Sequence, residues 1–365
     1  MKLTLTRLLS GVILAAVAAA SSAAEEKVLN VYNWSDYIAE DTIANFEERT
    51  GIKVNYDVFD SNEVLEAKLL AGGTGYDVVV PSATFMERQI QAGVFRKLDK
   101  SKLGNWGNLD KGILERVAGH DPGNDHGVPY MWGTTGFAYN IKEIKKRMPD
   151  APTNSWDMLF KPDVVKNFAD CGVTLLDAPT EVVSAAMNYL GLDPNSQSEK
   201  DLKAAEELLL KARPHIRYFH SSQNINDLAN GEICLAMGWS GDMFIARDRA
   251  AEAEQGIEIE YVIPKEGAVI WFDMMAIPAD APHPDNAHKW IDYILEAKVA
   301  AAISNYVWYA NPNAAATEFV DGEVKGDPAI YPPADVMSKL FPGKANTPKF
   351  TRLLTRTWTR IKSGQ

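Results

Sequence analysis

Three times in this sequence an aromatic ring stands within three residues of a carboxylate: Trp34 with Asp36 and Tyr37, Trp239 with Asp242, and Trp271 with Asp273. An organic ammonium uses both partners, the carboxylate for charge-assisted hydrogen bonds and the aromatic face for cation–π attraction and methylene packing. A desolvated ammonium on a ring is worth up to roughly 2 kcal/mol and a hydrogen bond to a charged group roughly 1.5–3 kcal/mol, so several together offset ligand dehydration. The pattern describes a box for a flexible polycation.

Each pair also has a purely structural explanation. Tryptophans and tyrosines near strand ends are commonly core residues, and Asp36, Asp242, Ser35 or Ser82 could simply cap the helices that follow them. The set rises above that alternative because its members fall at expected strand ends on both sides of a possible cleft. Other chemistries are poorly served. His120, His126, His215, His220, His283 and His288 show no metal-ligand spacing, so no metal and no cofactor is expected. Gly72-Gly73-Thr74-Gly75 precedes a strand-like run instead of opening a helix and lacks Lys-Ser/Thr, which makes it a turn and not a phosphate loop. Gly238-Trp239-Ser240-Gly241 lacks the second glycine spacing of a nucleophile elbow.

The elements that must position these residues alternate. Strand-like runs at Val28–Tyr32, Lys53–Phe59 and Tyr76–Val80 are interleaved with helical spacing at Ile38–Thr50, Val64–Leu70 and Phe85–Ala92. This order predicts an α/β fold with mainly parallel sheets flanked by helices. Val128 to Thr134, rich in Gly, Thr and aromatics, suits a crossover between domains. A second α/β region follows, with strands at Gly172–Leu176, Ile233–Met237, Ile257–Ile263 and Ile270–Ile277 and helices at Ser155–Phe160, Glu181–Leu190, Lys203–Ala212, Asp242–Glu254 and Asn286–Glu296, then a helical C-terminal tail. Ligands of open α/β sheets bind beyond the carboxyl ends of strands. The residues there are Trp34 to Tyr37, Pro81-Ser82, Asp177 to Glu181 and Trp239 to Asp242, while Tyr306 to Tyr309 lies where the chain would return to a cleft.

The first residues predict export. Lys2 and Arg7 flank a polar start, Leu8 to Ala20 is small and apolar, and Ser22-Ala23-Ala24 precedes Glu25-Glu26, the layout of a signal peptide (residues 1–24) cleaved near Ala24. The apolar run falls short of the roughly 20 residues of a membrane span. The formal net charge of −12 disfavours nucleic acid and anionic membrane as partners. In an oxidising compartment the two cysteines, Cys171 and Cys234, read as one disulfide, worth roughly 4 kcal/mol in the chain-entropy model; two unrelated buried thiols are the alternative.

Three ordered segments carry a resemblance: Asn30-Val31-Tyr32-Asn33-Trp34-Ser35-Asp36-Tyr37-Ile38, Tyr76-Asp77-Val78-Val79-Val80-Pro81-Ser82 and Trp239-Ser240-Gly241-Asp242. The whole mature chain resembles the periplasmic polyamine-binding proteins of bacterial ABC transporters, the putrescine and spermidine binders. The resemblance implies a two-lobe periplasmic binding protein fold joined by crossover strands, with discontinuous lobes at 26–130 with 254–298 and 131–253 with 299–365. It implies that Trp34, Ser35, Asp36, Tyr37, Ser82, Trp271 and Asp273 line one lobe and Glu181, Ser222, Trp239, Asp242 and Tyr309 the other. Asp242, Asp273 and Glu181 would bind ammonium ends, Trp34, Trp239, Trp271 and Tyr309 would sandwich methylenes, and Ser35, Ser82 and Ser222 would orient the ligand or bridge through water.

The expected function is capture of a polyamine and its delivery to a membrane permease by a soluble monomer that catalyses nothing. Spermidine is expected ahead of putrescine, because Asp36, Glu181, Asp242 and Asp273 make four carboxylates and unpaired buried carboxylates are costly. Trp271 stands where diamine-preferring relatives resemble one another in having Phe. A polyamine-sensing receptor component keeps the same fold. A secreted amine-acting enzyme would need flavin, copper or quinone ligands, which the sequence does not offer. An amino-acid binder would place an Arg opposite the ligand carboxylate, and Arg247 and Arg249 lie past Asp242 instead.

Overall fold

The computed structural model describes residues 25–365; the expected signal peptide, residues 1–24, lies outside them. Ten strands are present among the described residues: β1 Val28–Trp34, β2 Lys53–Phe59, β3 Val78–Val79, β4 Gly127–Asn140, β5 Val173–Leu175, β6 Tyr218–Phe219, β7 Leu235–Trp239, β8 Ile259–Val262, β9 Val269–Ala276 and β10 Phe341–Pro342. They join in the order β2-β1-β3-β9-β4-β7-β5-β6, with β8 beside β4 and β10 beside β9. The α/β class is as expected.

Along the main strand order the pairing is parallel at both ends and antiparallel in the middle, and β10, off that order, pairs in parallel with β9. β1 pairs in parallel with β2 and β3, and β5 with β6 and β7. β4 and β9 run antiparallel to each other, while β9 is antiparallel to β3 and β4 to β7 and β8. β4 is the crossover expected around Val128 to Thr134, extended to 14 residues, every one of them buried. Its length lets one end pair with β9 from Gly127 to Thr135 and the other with β7 from Thr135 to Tyr139. β8 pairs with the same far end, Phe137 to Asn140.

Local rules explain where elements begin. The first helix is Thr42–Thr50, shorter than the expected Ile38–Thr50, because Asp36 adopts a left-handed φ of 52° and a turn intervenes. Gly51, at φ 67°, stops it in the left-handed conformation that costs glycine little. Ser61 caps the next helix, Asn62–Ala71, accepting from the Val64 N–H. Large side chains fill the core on both sides of the central strands, among them Leu29, Phe46 and Met86 on one and Phe137, Trp156, Phe160 and Phe168 on the other. Cys171 and Cys234 form a disulfide with a Cα–Cα distance of 5.5 Å, tying the turn before β5 to the start of β7.

Candidate functional site

The parallel strands aim their carboxyl ends at one cleft. β1 ends on Trp34, β2 on Phe59 and β7 on Trp239, and Ser82 follows β3. Each strand hands over directly to a turn or helix, which is why the chemistry-bearing residues cluster there. One pocket with an empty volume of about 430 Å³, part of it continuous with solvent, is lined by Trp34, Ser35, Tyr37, Ser82, Glu181, Ser222, Trp239, Asp242, Trp271, Asp273 and Tyr309. All the residues expected to bind ligand are thus brought together except one.

The exception is Asp36. It is absent from the lining, and its Oδ1 accepts a 2.6 Å hydrogen bond from Arg249 Nη2 on the helix Ser240–Glu252. The left-handed backbone at Asp36 directs its side chain differently from its neighbours Ser35 and Tyr37. Asp36 was expected to line the cleft with its neighbours; here its carboxylate is paired with Arg249 beside it.

Asp273, on β9, is 4% exposed and held from two sides. Ser82 Oγ donates to Oδ1 at 2.6 Å and Tyr37 Oη to Oδ2 at 2.9 Å. Ser82 occupies the N-cap position of the helix Ala83–Gln91 but makes no side-chain cap, so its hydroxyl serves the carboxylate and not the helix. Asn62 Nδ2 donates to Ser82 Oγ at 2.9 Å and orients it.

Asp242 lies in the first turn of Ser240–Glu252, and its Oδ1 accepts from Tyr309 Oη at 2.7 Å. Tyr309 Oη accepts in turn from the Asp242 N–H at 3.1 Å. The ring reaches this position because Trp308, at φ 57°, ends the preceding helix Ala297–Val307 in a left-handed turn. Gly241 makes room for it: a Cβ there would stand 2.3 Å from Tyr309 Cε2. Glu181, on the helix Pro179–Tyr189, accepts on Oε2 from Trp239 Nε1 at 2.9 Å and from Thr135 Oγ1 of β4.

Burial governs the electrostatics. It pushes the Asp242 carboxyl up to about 8, against the lowering hydrogen bond from Tyr309, with Asp36 and Asp273 adding repulsion and Arg249 opposing it. Burial likewise pushes Asp273 up to about 7, against the Ser82 and Tyr37 hydrogen bonds, with Glu181 adding repulsion. Glu181 is raised by burial despite its two donors. Such carboxyls are poised to gain when a cation arrives and restores the charge balance.

The rings form the walls. Trp34 and Trp239 meet edge to face at 5.3 Å, as do Trp271 and Tyr309, and Tyr37 meets Tyr309 at 5.0 Å. Trp34 Nε1 is fixed by the Val80 carbonyl at 2.8 Å. Ser35 Oγ donates to the Phe59 carbonyl at 3.3 Å, and the Ser222 backbone is held by His220 Nδ1 at 3.1 Å. No Lys or Arg lines the pocket. Phe59, Asp60, Ser221 and Ile225 also line it and were not foreseen. Phe59 and Asp60 follow the strand-end rule and could have been found by applying it to β2. Ser221 and Ile225 come after β6, whose two residues leave no strand pattern to read. Among the described residues no three His, Cys, Asp or Glu side chains are grouped to hold a metal ion.

The model of the family described as bacterial extracellular solute-binding protein matches residues 41–332. The putrescine-binding periplasmic protein PotF of Escherichia coli is 56% identical over 98% of this chain and 98% of its own length. The putrescine-binding periplasmic protein SpuD of Pseudomonas aeruginosa is 53% identical over 96% and 95%. Among solved structures, the spermidine/putrescine ABC transporter substrate-binding protein PotD of Streptococcus pneumoniae superposes with a TM-score of 0.73 at 30% identity, covering 93% of this chain and 99% of its own. These relatives are substrate-binding proteins and not enzymes, and the resemblance read from the signature segments agrees with them: the chain belongs to the bacterial extracellular solute-binding proteins.

Proposed function

We propose that the chain captures putrescine in this cleft, in the periplasm, and delivers it to the permease of an ABC transporter. The observation that carries the reading is the set of carboxylates lining the cleft, Asp242 and Asp273 buried and Asp60 and Glu181 partly exposed, inside a frame of Trp34, Trp239, Trp271 and Tyr309 with no basic residue among them. An amino acid would bring a carboxylate into that field, whereas a diamine brings two ammonium ends and a methylene chain that the rings can cover. The names of the PotF and SpuD relatives support putrescine and periplasmic location, and the name of the Streptococcus pneumoniae structure supports an ABC transporter. The expectation of spermidine counted Asp36 among four ligand carboxylates; Asp36 pairs with Arg249, while Asp60 enters the lining in its place. A second reading, spermidine as the preferred ligand, draws on the fourth carboxylate of the cleft lining, Asp60.

The lobes in this reading meet along β4 and β9. The pairing of β8 with the far end of β4 favours moving the return to the first lobe from residue 254 to the start of β9 at Val269. A monomer suffices for this work, and the net charge of −12 speaks against a nucleic-acid partner. The test is isothermal titration calorimetry of protein unfolded and refolded to strip it of ligand, against putrescine, spermidine and glutamate. Tightest binding of putrescine supports the proposal; tighter spermidine transfers it to the second reading, and glutamate binding alone rejects both.

A further inference from the structure

Beside the cleft, and sharing Ser82, Glu181 and Trp271 with it, lies a second chamber with an empty volume of about 500 Å³, part of it continuous with solvent. Trp271 lines both, and its indole Nε1–H is buried without an acceptor among the described residues. A buried N–H with no partner is costly, and the cost is recovered by any ligand that supplies an acceptor there. A fully protonated polyamine carries donors only and cannot supply one.

The rest of the lining points the same way. Glu181 is the single carboxylate among the residues that line the chamber, and its Oε2 already serves Trp239 and Thr135. An ammonium in the chamber would have no carboxylate of its own. Neutral polar groups are available instead: the hydroxyls of Thr84 and Ser184 enter no hydrogen bond among the described residues, and His120 uses only Nδ1, on Glu87 at 2.8 Å. Phe85 supplies apolar surface beside them.

We propose that this chamber takes the neutral acylamide end of a monoacylated diamine, whose carbonyl oxygen accepts the Trp271 N–H while its acyl methyl packs on apolar lining such as Phe85. The amide N–H finds an acceptor in Glu181 Oε1, and the free ammonium end stays with the carboxyls of the cleft. The inference rests on the reading of the cleft as a diamine site and extends its ligand class to acylated amines.

The test is calorimetric titration of the full, ligand-stripped chain with N-acetylputrescine and with putrescine. The expected result is saturable one-to-one binding of both, with Trp271→Phe, which keeps a ring and removes the N–H, weakening N-acetylputrescine at least tenfold more than putrescine. Ser184→Leu, which fills the chamber from outside the cleft, should weaken N-acetylputrescine at least tenfold and leave putrescine within twofold, and it tests the proposal if Trp271→Phe fails to fold. Binding of putrescine without N-acetylputrescine overturns the inference and leaves the diamine reading standing. Binding of neither overturns that reading as well, and equal effects of the substitutions on both ligands reject the chamber as the site of the acyl end.

Discussion

Arg249 Nη2 donates to Asp36 Oδ1 at 2.6 Å, and the same guanidinium donates from Nη1 to Asn226 at 2.9 Å, so the turn after β1 is tied to the helix that carries Asp242. The pair bridges the turn that follows β1 and the helix that follows β7. Both partners are about a third exposed, which limits the pair to about 0.2–1 kcal/mol. Arg249→Ala is expected to raise the ligand dissociation rate about two- to fivefold, with the difference shrinking as salt is added. Stopped-flow tryptophan fluorescence at low and high ionic strength checks this.

Binding is expected to release protons. Asp242 and Asp273 are raised to about 8 and about 7 by burial, so near neutral pH each carries a proton part of the time until a cation replaces it. Affinity for a dication therefore falls as pH drops from about 8 to about 6. The sign for stability follows from the same shifts: native pKa values above the unfolded ones, about 3.9 for Asp, mean that the native state binds more protons. Without ligand, stability from these groups declines as pH rises from about 4 to about 8. Calorimetry in two buffers of different ionisation enthalpy reads the proton release, and Asp242→Asn should reduce it.

Much of this was legible in the sequence, for definite reasons. Trp34, Trp239 and Ser82 stand at strand ends in a fold whose strands alternate with helices, so position alone marked them. Asp273 and Trp271 were marked by their proximity to each other. Asp36 follows the same rule, but its left-handed φ and its pairing with Arg249, distant in sequence, could not be read from position. The antiparallel middle of the sheet was hidden for a similar reason: β4 is buried along its whole length, and a buried run carries no period to reveal its partners. The disulfide was accessible from cysteine count and compartment alone.

Gly241 is expected to be intolerant of substitution. A Cβ there would stand 2.3 Å and 2.4 Å from Tyr309 ring carbons and 2.5 Å from the Val307 carbonyl oxygen, so Gly241→Ala must displace the ring that holds Asp242. The expected outcome is a fall in putrescine affinity of about tenfold or more, corresponding to loss of a hydrogen bond to a charged group, with a far-ultraviolet circular dichroism spectrum like that of the parent.

The Cys171–Cys234 bridge should contribute stability and little to binding. Its loop spans a sequence separation of 63, for which the chain-entropy model gives roughly 4 kcal/mol. The double substitution to Ala is expected to lower Tm by several degrees while leaving ligand affinity within about twofold, because Cys234 precedes β7 and Trp239 ends it. Differential scanning calorimetry with and without reductant makes the comparison.

The central claim is that the carboxyls of Asp242 and Asp273 receive the ammonium ends of a diamine. It is tested most directly by calorimetric titration of putrescine into ligand-stripped wild type, Asp242→Asn and Asp273→Asn. One-to-one binding by the wild type, weakened about tenfold to a hundredfold by each substitution, is the expected result. Putrescine affinity unchanged in both variants would contradict the account.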